Sequence, residues 1–354
     1  MAGLGSPFLV VIFVAASAAT WVAGVGLSKT TDALDARLGL GDEIGGLILL
    51  ALAGSLPELA ITISAAASGN LALAAGNLIG GIAMQTMVLL VCDFAVGPTR
   101  PLTYLVGRLT PVLEGLLVII VVVGVEMGAL LKPSTAIAGR VSPASLGIVV
   151  IWTVGVFGIN RAAKDPRWSI SMPGSQPGRR HTDKRRAPEP HHPYAGSSTA
   201  WVALIFGVAC AVTLAAGVGL EESGNELANR LGVNGVIFGA TILAGATALP
   251  EISSGIAAVK LGDHALAMGD VFGGNAFQVC LFLVADLVAG KPVLPSAGNL
   301  NAWLAALGVA LTAIYGFGVI SRPMHTRFRL GPDSLLALAL FGLGVAGLFY
   351  VRPG

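Results

Sequence analysis

The chain has 354 residues, of which 55% are hydrophobic and only 11% charged, with a formal net charge of +2. A soluble domain carries roughly a quarter charged residues, so this composition excludes an ordinary soluble fold and points to a membrane protein. The small net charge by itself names no partner.

Apolar windows of about 20 residues can cross roughly 30 Å of hydrocarbon as helices. Ten such windows occur, near 8–27, 44–67, 71–95, 109–131, 142–160, 200–220, 236–259, 264–288, 301–320 and 334–351. Lipid offers no hydrogen-bond partner to a bare backbone, so all ten are expected as α-helices of an all-α polytopic membrane protein. Cys92, Cys210 and Cys280 fall inside these windows without ligand spacing and read as small core residues.

Between the fifth and sixth windows, residues 161–199 carry Arg161, Lys164, Arg167, Arg179, Arg180, Lys184, Arg185 and Arg186 among prolines, glycines and serines. This basic linker separates a first half, 1–160, from a second, 200–354. It reads first as a solvated cytoplasmic loop, with contact to anionic lipid headgroups as the other role. The pair His191–His192 is too isolated for a metal site. With the N-terminus outside, the inward loops hold 16 of the 21 Lys and Arg residues and the outward segments hold 5, which puts the linker in the cytoplasm of a plasma-membrane protein.

The two halves repeat each other at an offset of 193 residues. TWVAGVGL at 20–27 answers TLAAGVGL at 213–220, ALAGSLPEL at 51–59 answers AGATALPEI at 244–252, and GNLIGGIAMQ at 76–85 answers GDVFGGNAFQ at 269–278. Without a gap, residues 8–97 match 201–290 at 37 of 90 positions. Coincidence among apolar residues does not explain Pro57/Pro250, Glu58/Glu251, Gln85/Gln278 or Asp93/Asp286. Five spans separate the copies, so corresponding helices run in opposite directions and the repeat is inverted. Interrupted helices within inverted repeats point to a secondary transporter with its site at the repeat interface. The match of the first span to an internal one also predicts that 8–27 is no cleaved signal.

Pro57 and Pro250 each lack an N–H and push against the carbonyl four residues back, so each helix is expected to open there. A freed carbonyl must face protein or water rather than lipid. A carboxylate at mid-bilayer costs roughly 2.5–3.5 kcal/mol. Neither helix offers Lys or Arg before Lys260, so Glu58 and Glu251 need a bound cation or protons. Up to four carboxylate oxygens with about two carbonyls approach the 6–8 oxygens that Ca²⁺ accepts. The alternative is a pair of protonated packing residues. Asp93 and Asp286, near span ends, read as interfacial or packing groups, and Glu114 and Glu126 have no repeat counterpart and no assigned role. The glycines Gly76, Gly80, Gly81, Gly269, Gly273 and Gly274 are expected to allow close helix approach. Asp270, where the first copy has Asn77, is a secondary candidate for the ion path.

At the LPE and GNLIGG/GDVFGG motifs the sequence resembles the cation/calcium antiporter superfamily, which includes sodium/calcium and proton/calcium exchangers. The resemblance covers both halves and implies ten helices in two inverted five-helix repeats. It implies Glu58 and Glu251 as calcium ligands, backbone oxygens from Ala51 and Ala244, and ligands from Ser55 and Thr247. Gly54 and Ala248 replace the other members of the usual Thr-Ser pairs, Gly81 and Gly274 stand where serine is usual, and Gln85 and Gln278 where sodium-coupled members carry Asn or an acid. Several ligands of dedicated sodium sites are therefore missing, and the counter-ion stays open between Na⁺ and H⁺.

The expected function is thus secondary antiport of Ca²⁺ against Na⁺ or H⁺ by alternating access, with a cation channel or an antiporter for other cations as alternatives. An intramembrane enzyme is not expected, because the five histidines lie in loops or at a span edge and no HExxH occurs. The bilayer and small cations are the expected partners, with no nucleic acid and no resident cofactor.

Overall fold

The computed structural model describes residues 1, 3–38, 54–164, 194, 196–296 and 298–351. Ala51, the first part of the predicted span 44–67 and almost all of the basic linker, including His181, His191 and His192, lie outside these residues. The first half comprises Ser6–Leu38 (α1), Leu56–Ala67 (α2), Leu71–Thr86 (α3), Val88–Val96 (α4), the single turn Leu102–Leu105 (α5), Thr110–Ala129 (α6) and Pro143–Lys164 (α7). The second comprises Thr199–Leu231 (α8), Gly235–Phe238 (α9), a π-helical turn Gly239–Leu243, Ala244–Thr247 (α10), Leu249–Lys260 (α11), His264–Gln278 (α12), Leu281–Ala289 (α13), Gly298–Ser321 (α14) and Pro332–Gly347 (α15). Each of the ten predicted windows therefore contains a helix. Among the described residues seven segments are long and apolar enough to cross a membrane, and the bent pair Gly235–Thr247 with Leu249–Lys260 makes an eighth; α2 and α15 are shorter apolar helices. Exposed Phe8, Val11, Val22, Leu204, Phe317 and Leu343 would be a liability in water and are ordinary lipid-facing residues here.

At Pro250 the proline effect takes the expected form, whereas the chain leading to Pro57 is described only from Gly54 onward. The seventh span bends by 46° at Ala248, and α11 restarts with Pro250 in its first turn, where the missing N–H costs nothing. The helix α2 likewise starts at Leu56 with Pro57 in its first turn. New ladders begin at once, since Leu59 donates to the Ser55 carbonyl at 2.9 Å and Ile252 to that of Ala248 at 3.1 Å. Each interrupted helix then packs on the first helix of the other repeat, α2 on α8 and α11 on α1. The matched Gly217 and Gly24 provide the seats. A Cβ at Gly24 would collide with the Pro250 ring, and one at Gly217 with Ala60 and the Pro57 carbonyl.

At the centre α3 runs against the π-helical turn, with Gly76 on Val236 and Gly80 on Ala240 so tightly that neither glycine could carry a Cβ without backbone movement. The expectation of close approach holds for these two. In the second copy it does not hold for Gly273 and Gly274, where a Cβ would meet nothing within 4 Å; with Gly269 they border a cavity, because α12 makes one of its walls. Hydrogen bonds stitch α12 to α3 across the repeats. Asn275 Nδ2 donates to Thr86 Oγ1 at 3.1 Å, and Gln278 Nε2 to the carbonyls of Leu78 at 2.9 Å and Asn77 at 3.2 Å. Gly81 makes room for that amide, since a Cβ there would overlap Gln278 Nε2.

Asp93 and Asp286 resolve as packing groups. Asp93, at the end of the third span, accepts from the backbone N–H of Leu102 at 2.6 Å and of Gly331 at 2.7 Å. Asp286, its counterpart, accepts from the N–H of Val293 at 2.7 Å, from that of Ser142 at 2.9 Å and from the Ser145 hydroxyl at 2.8 Å. Each carboxylate ties its own loop to the start of the last span of a half, the tenth for Asp93 and the fifth for Asp286. Cys92 and Cys280 are buried and all three cysteines are free thiols, as expected of small packing residues.

Replacing Asp93 or Asp286 by alanine strands two buried N–H donors and is expected to cost about 2–4 kcal/mol, read as a lowered melting temperature of the detergent-solubilised protein. Gly81→Ala is expected to cost about 1–3 kcal/mol by displacing the Gln278 amide. In the double variant with Gln278→Ala, the combined loss falls below the sum of the two single losses, because both changes act on one contact.

Candidate cation site

Both interrupted helices begin near the middle of the fold, and Glu58 and Glu251 each occupy a first turn. There the unpaired N–H groups and the positive end of the helix dipole favour a carboxylate without supplying a full counter-charge. Glu58 is 1% exposed. Its Oε1 accepts from Gln85 Nε2 at 3.0 Å, while Oε2 accepts no hydrogen bond. Glu251 is half-buried and borders the cavity, and its Oε2 is also closed to solvent and unpartnered. The two carboxylates lie within electrostatic range of each other, and Asp270 lies within range of Glu251.

Thr247 is buried beside the Glu58 carboxylate. Its hydroxyl donates to the Ala244 carbonyl at 3.2 Å, and the same carbonyl accepts from Ala248 N–H at 3.0 Å. The Ala244 oxygen expected to face an ion is thus engaged by two donors in this conformation, because the last α-helical turn before the break closes on it and the Thr247 side chain folds back to it. Ser55 is buried and lines the cavity together with Gln85. The two glutamines differ: Gln85 serves Glu58 of its own repeat, whereas Gln278 reaches across to backbone carbonyls of α3. Asn77 is fully buried, and neither its Nδ2 nor its Oδ1 has a hydrogen-bond partner. Its counterpart Asp270 faces the cavity and accepts from Ser254 Oγ at 2.6 Å.

The cavity has a volume of about 330 Å³. It runs from Pro57, Glu251 and Gln85 at mid-depth to exposed Ala163, Asp263 and Leu266, on the side where α7 ends and α8 begins. Arg108, exposed at the mouth, is the one Lys or Arg among its described lining residues. Toward the opposite face the fold is packed shut by Ile61, Ala65, Leu73, Ala74, Leu220 and Phe238. Above that plug Ser64 donates to Glu221 Oε2 at 2.8 Å and Asn70 to Asn225 Oδ1 at 2.7 Å.

Sequence reasoning left Glu114 without a role. The structure sets it in the cavity wall, with Oε2 closed to solvent and unpartnered. No repeat marks it; the available signal was an acidic residue in an apolar span, which by itself is a functional-site pointer.

Comparison with known proteins bears on this arrangement. The family profile described as sodium/calcium exchanger protein matches residues 8–157 and 199–351, which is most of both halves. CaxA of Alkalimonas amylolytica, which carries an antiporter assignment, is 26% identical over 267 residues, covering 74% of each chain. The inner membrane protein YrbG of Escherichia coli K12 is 24% identical over 263 residues, covering 74% of this chain and 72% of that protein. Among solved structures, the H⁺/Ca²⁺ exchanger CAX shares the fold with a TM-score of 0.68 at 16% identity, over 98% of this chain and 82% of that one. The sodium-calcium exchanger NCX_Mj shares it with a TM-score of 0.59 at 13% identity, over 98% of this chain and all of the other. The matched profile and these folds are those of secondary transporters rather than enzymes. With both halves matched, the chain belongs to the sodium/calcium exchanger protein family of integral membrane proteins.

Proposed function

We propose that the protein is a Ca²⁺ antiporter that exchanges its cargo against Na⁺ or H⁺ by alternating access at a site built by Glu58 and Glu251. One observation carries this reading. Two symmetry-related carboxylates, each with an unpartnered buried oxygen, lie within electrostatic range of each other among apolar helices. A lone buried carboxylate pair of like charge is strongly unfavourable unless a cation or protons cancel it. A hard dication bound by oxygens does so, with Ser55, Thr247 and Gln85 near enough to add neutral oxygens and water to complete the shell.

Two negative charges are cancelled equally by one Ca²⁺, two Na⁺ or two H⁺. The loaded site can then pass through the apolar barrier, while the empty site, carrying both charges, is held back. That difference forbids an empty return and enforces exchange. A cavity open to one face with an apolar plug toward the other is what a carrier caught in one state has, and a permanent pore would need a path through both. The basic residues of the described loops support a cytoplasmic assignment for the open side. Lys29, Arg37, Arg100, Arg108, Lys260, Arg322, Arg327 and Arg329 lie on that side, against Lys132, Arg140, Arg230 and Lys291 on the other. The location in the plasma membrane, the identity of the counter-ion and the contact of the linker with anionic lipid belong to the same proposal.

Glu58→Gln and Glu251→Gln are each expected to lower uptake of radiolabelled Ca²⁺ into proteoliposomes below about one-hundredth of the unmutated rate, the scale of losing a buried charged ligand. Uptake at the full rate in either variant removes the site. Imposing a Na⁺ gradient and an H⁺ gradient separately across the same vesicles identifies the counter-ion, and Ca²⁺ flux indifferent to both excludes coupled antiport.

A further inference from the structure

We infer that Glu114 and Asp270 form a second binding site for a partly hydrated divalent cation, in the cavity between its mouth and Glu251. Glu114 comes from α6, outside the repeated segments, and Asp270 from α12 of the second repeat. They lie within electrostatic range of each other and both line the cavity. Glu114 packs over the backbone of Gly269, the residue before Asp270. A Cβ at Gly269 would stand 3.0 Å from Glu114 Oε2, so the glycine leaves the space that the carboxylate uses.

The polar bookkeeping around the pair is what points to a ligand. Asp270 Oδ2 accepts from Ser254 Oγ at 2.6 Å, and that serine also contacts the Glu251 carbonyl at 3.2 Å, which links the pair to the central site. Glu114 lines the cavity, and its Oε2, enclosed against Gly269, has no donor. Nor does a cation answer it from the protein. Among the described residues the one salt bridge is Arg230–Glu226, far from this cavity, and Arg108 makes none from its exposed position at the mouth. Besides Glu114 and Asp270 the cavity is lined by Glu251 and, at its exposed mouth, Asp263, with Arg108 as the one described Lys or Arg in its wall. A single divalent ion at the centre leaves the outer pair uncancelled, and a buried carboxylate without a counter-charge is costly.

Two carboxylates cannot complete a coordination shell of 6–8 oxygens, and among the described residues no group of three His, Cys, Asp or Glu side chains comes together tightly enough to hold a metal ion. The occupant therefore keeps several waters, for which the cavity has room. The site would capture the cation ahead of its transfer to Glu251, holding a high local concentration at the inner end of the path. It rests on the reading of Ca²⁺ as cargo only for the choice of probe.

The test is equilibrium binding of radiolabelled Ca²⁺ to the purified full chain in detergent, at mildly alkaline pH so that carboxylates are ionised. Two ions per chain are expected. Glu58→Gln combined with Glu251→Gln is expected to leave one, and Glu114→Gln or Asp270→Asn to leave the other. Glu114→Asp is expected to retain two with the weaker constant raised about tenfold. In proteoliposomes Glu114→Gln is expected to raise the KM for Ca²⁺ entering from the cavity side. A single ion in the unmutated chain, lost with Glu58→Gln, overturns the second site, as do two ions in monodisperse Glu114→Gln and Asp270→Asn. Failure of the central site shows separately, as two ions retained in the Glu58→Gln, Glu251→Gln variant.

Discussion

The arrangement depends on one electrostatic constraint: carboxylates held at mid-depth in an apolar bundle where the described structure supplies no cation to meet them. Everything near Glu58 and Glu251 lowers the cost of that arrangement without removing it. Pro57 and Pro250 start new helices at this depth, so the carboxylates sit at positive helix ends. Gln85 donates to one oxygen of Glu58 and leaves the other open. Gly24 and Gly217 let the first helix of each repeat close over the proline of the other, which fixes the two breaks against the same frame. Partial stabilisation suits a reversible site better than full stabilisation, because a carboxylate fully satisfied by the protein has no affinity left for a passing ion.

An inverted repeat in one conformation cannot be symmetric, because one face is open while the other is closed, and the matched residues record the difference. Gln85 holds Glu58, whereas Gln278 is spent on the carbonyls of Asn77 and Leu78. Gly80 is pressed on Ala240, while Gly273 borders the cavity. Asn77 is buried with both polar atoms orphaned, and Asp270 looks into the cavity. Buried orphans of this kind are rare in a settled core.

The sequence made the ten helices, the repeat and the Pro-Glu breaks legible, since each rests on long apolar windows or on rare polar residues recurring at a fixed offset. What stayed hidden depends on contacts between segments remote in sequence. That Asp93 and Asp286 fasten loops could not be read from their positions near span ends, because their partners, Gly331 and Ser142, follow no periodic pattern. The doubly bonded Ala244 carbonyl reflects a helical turn that continues to Ala248, and a threonine folded back on it, which a count of freed oxygens overlooks. Glu114 escaped because the comparison between halves, which singled out Glu58 so clearly, is blind to a group that occurs once.

That single occurrence has a consequence for how the two faces differ. The position 193 residues beyond Glu114 is Leu307, so the acidic lining next to Asp270 has no image across the pseudo-twofold. On the far face the buried acids Glu221 and Asp286 are already engaged, the first by Ser64 and the second by Ser142, Ser145 and Val293. A carrier whose central site is the same in both states has the same intrinsic affinity on either side, and an acidic vestibule on one face alone raises the local cation concentration on that face. It cannot alter the gradient that exchange sustains, because that limit follows from how many charges cross in each direction. It changes the rate at which a scarce ion is captured.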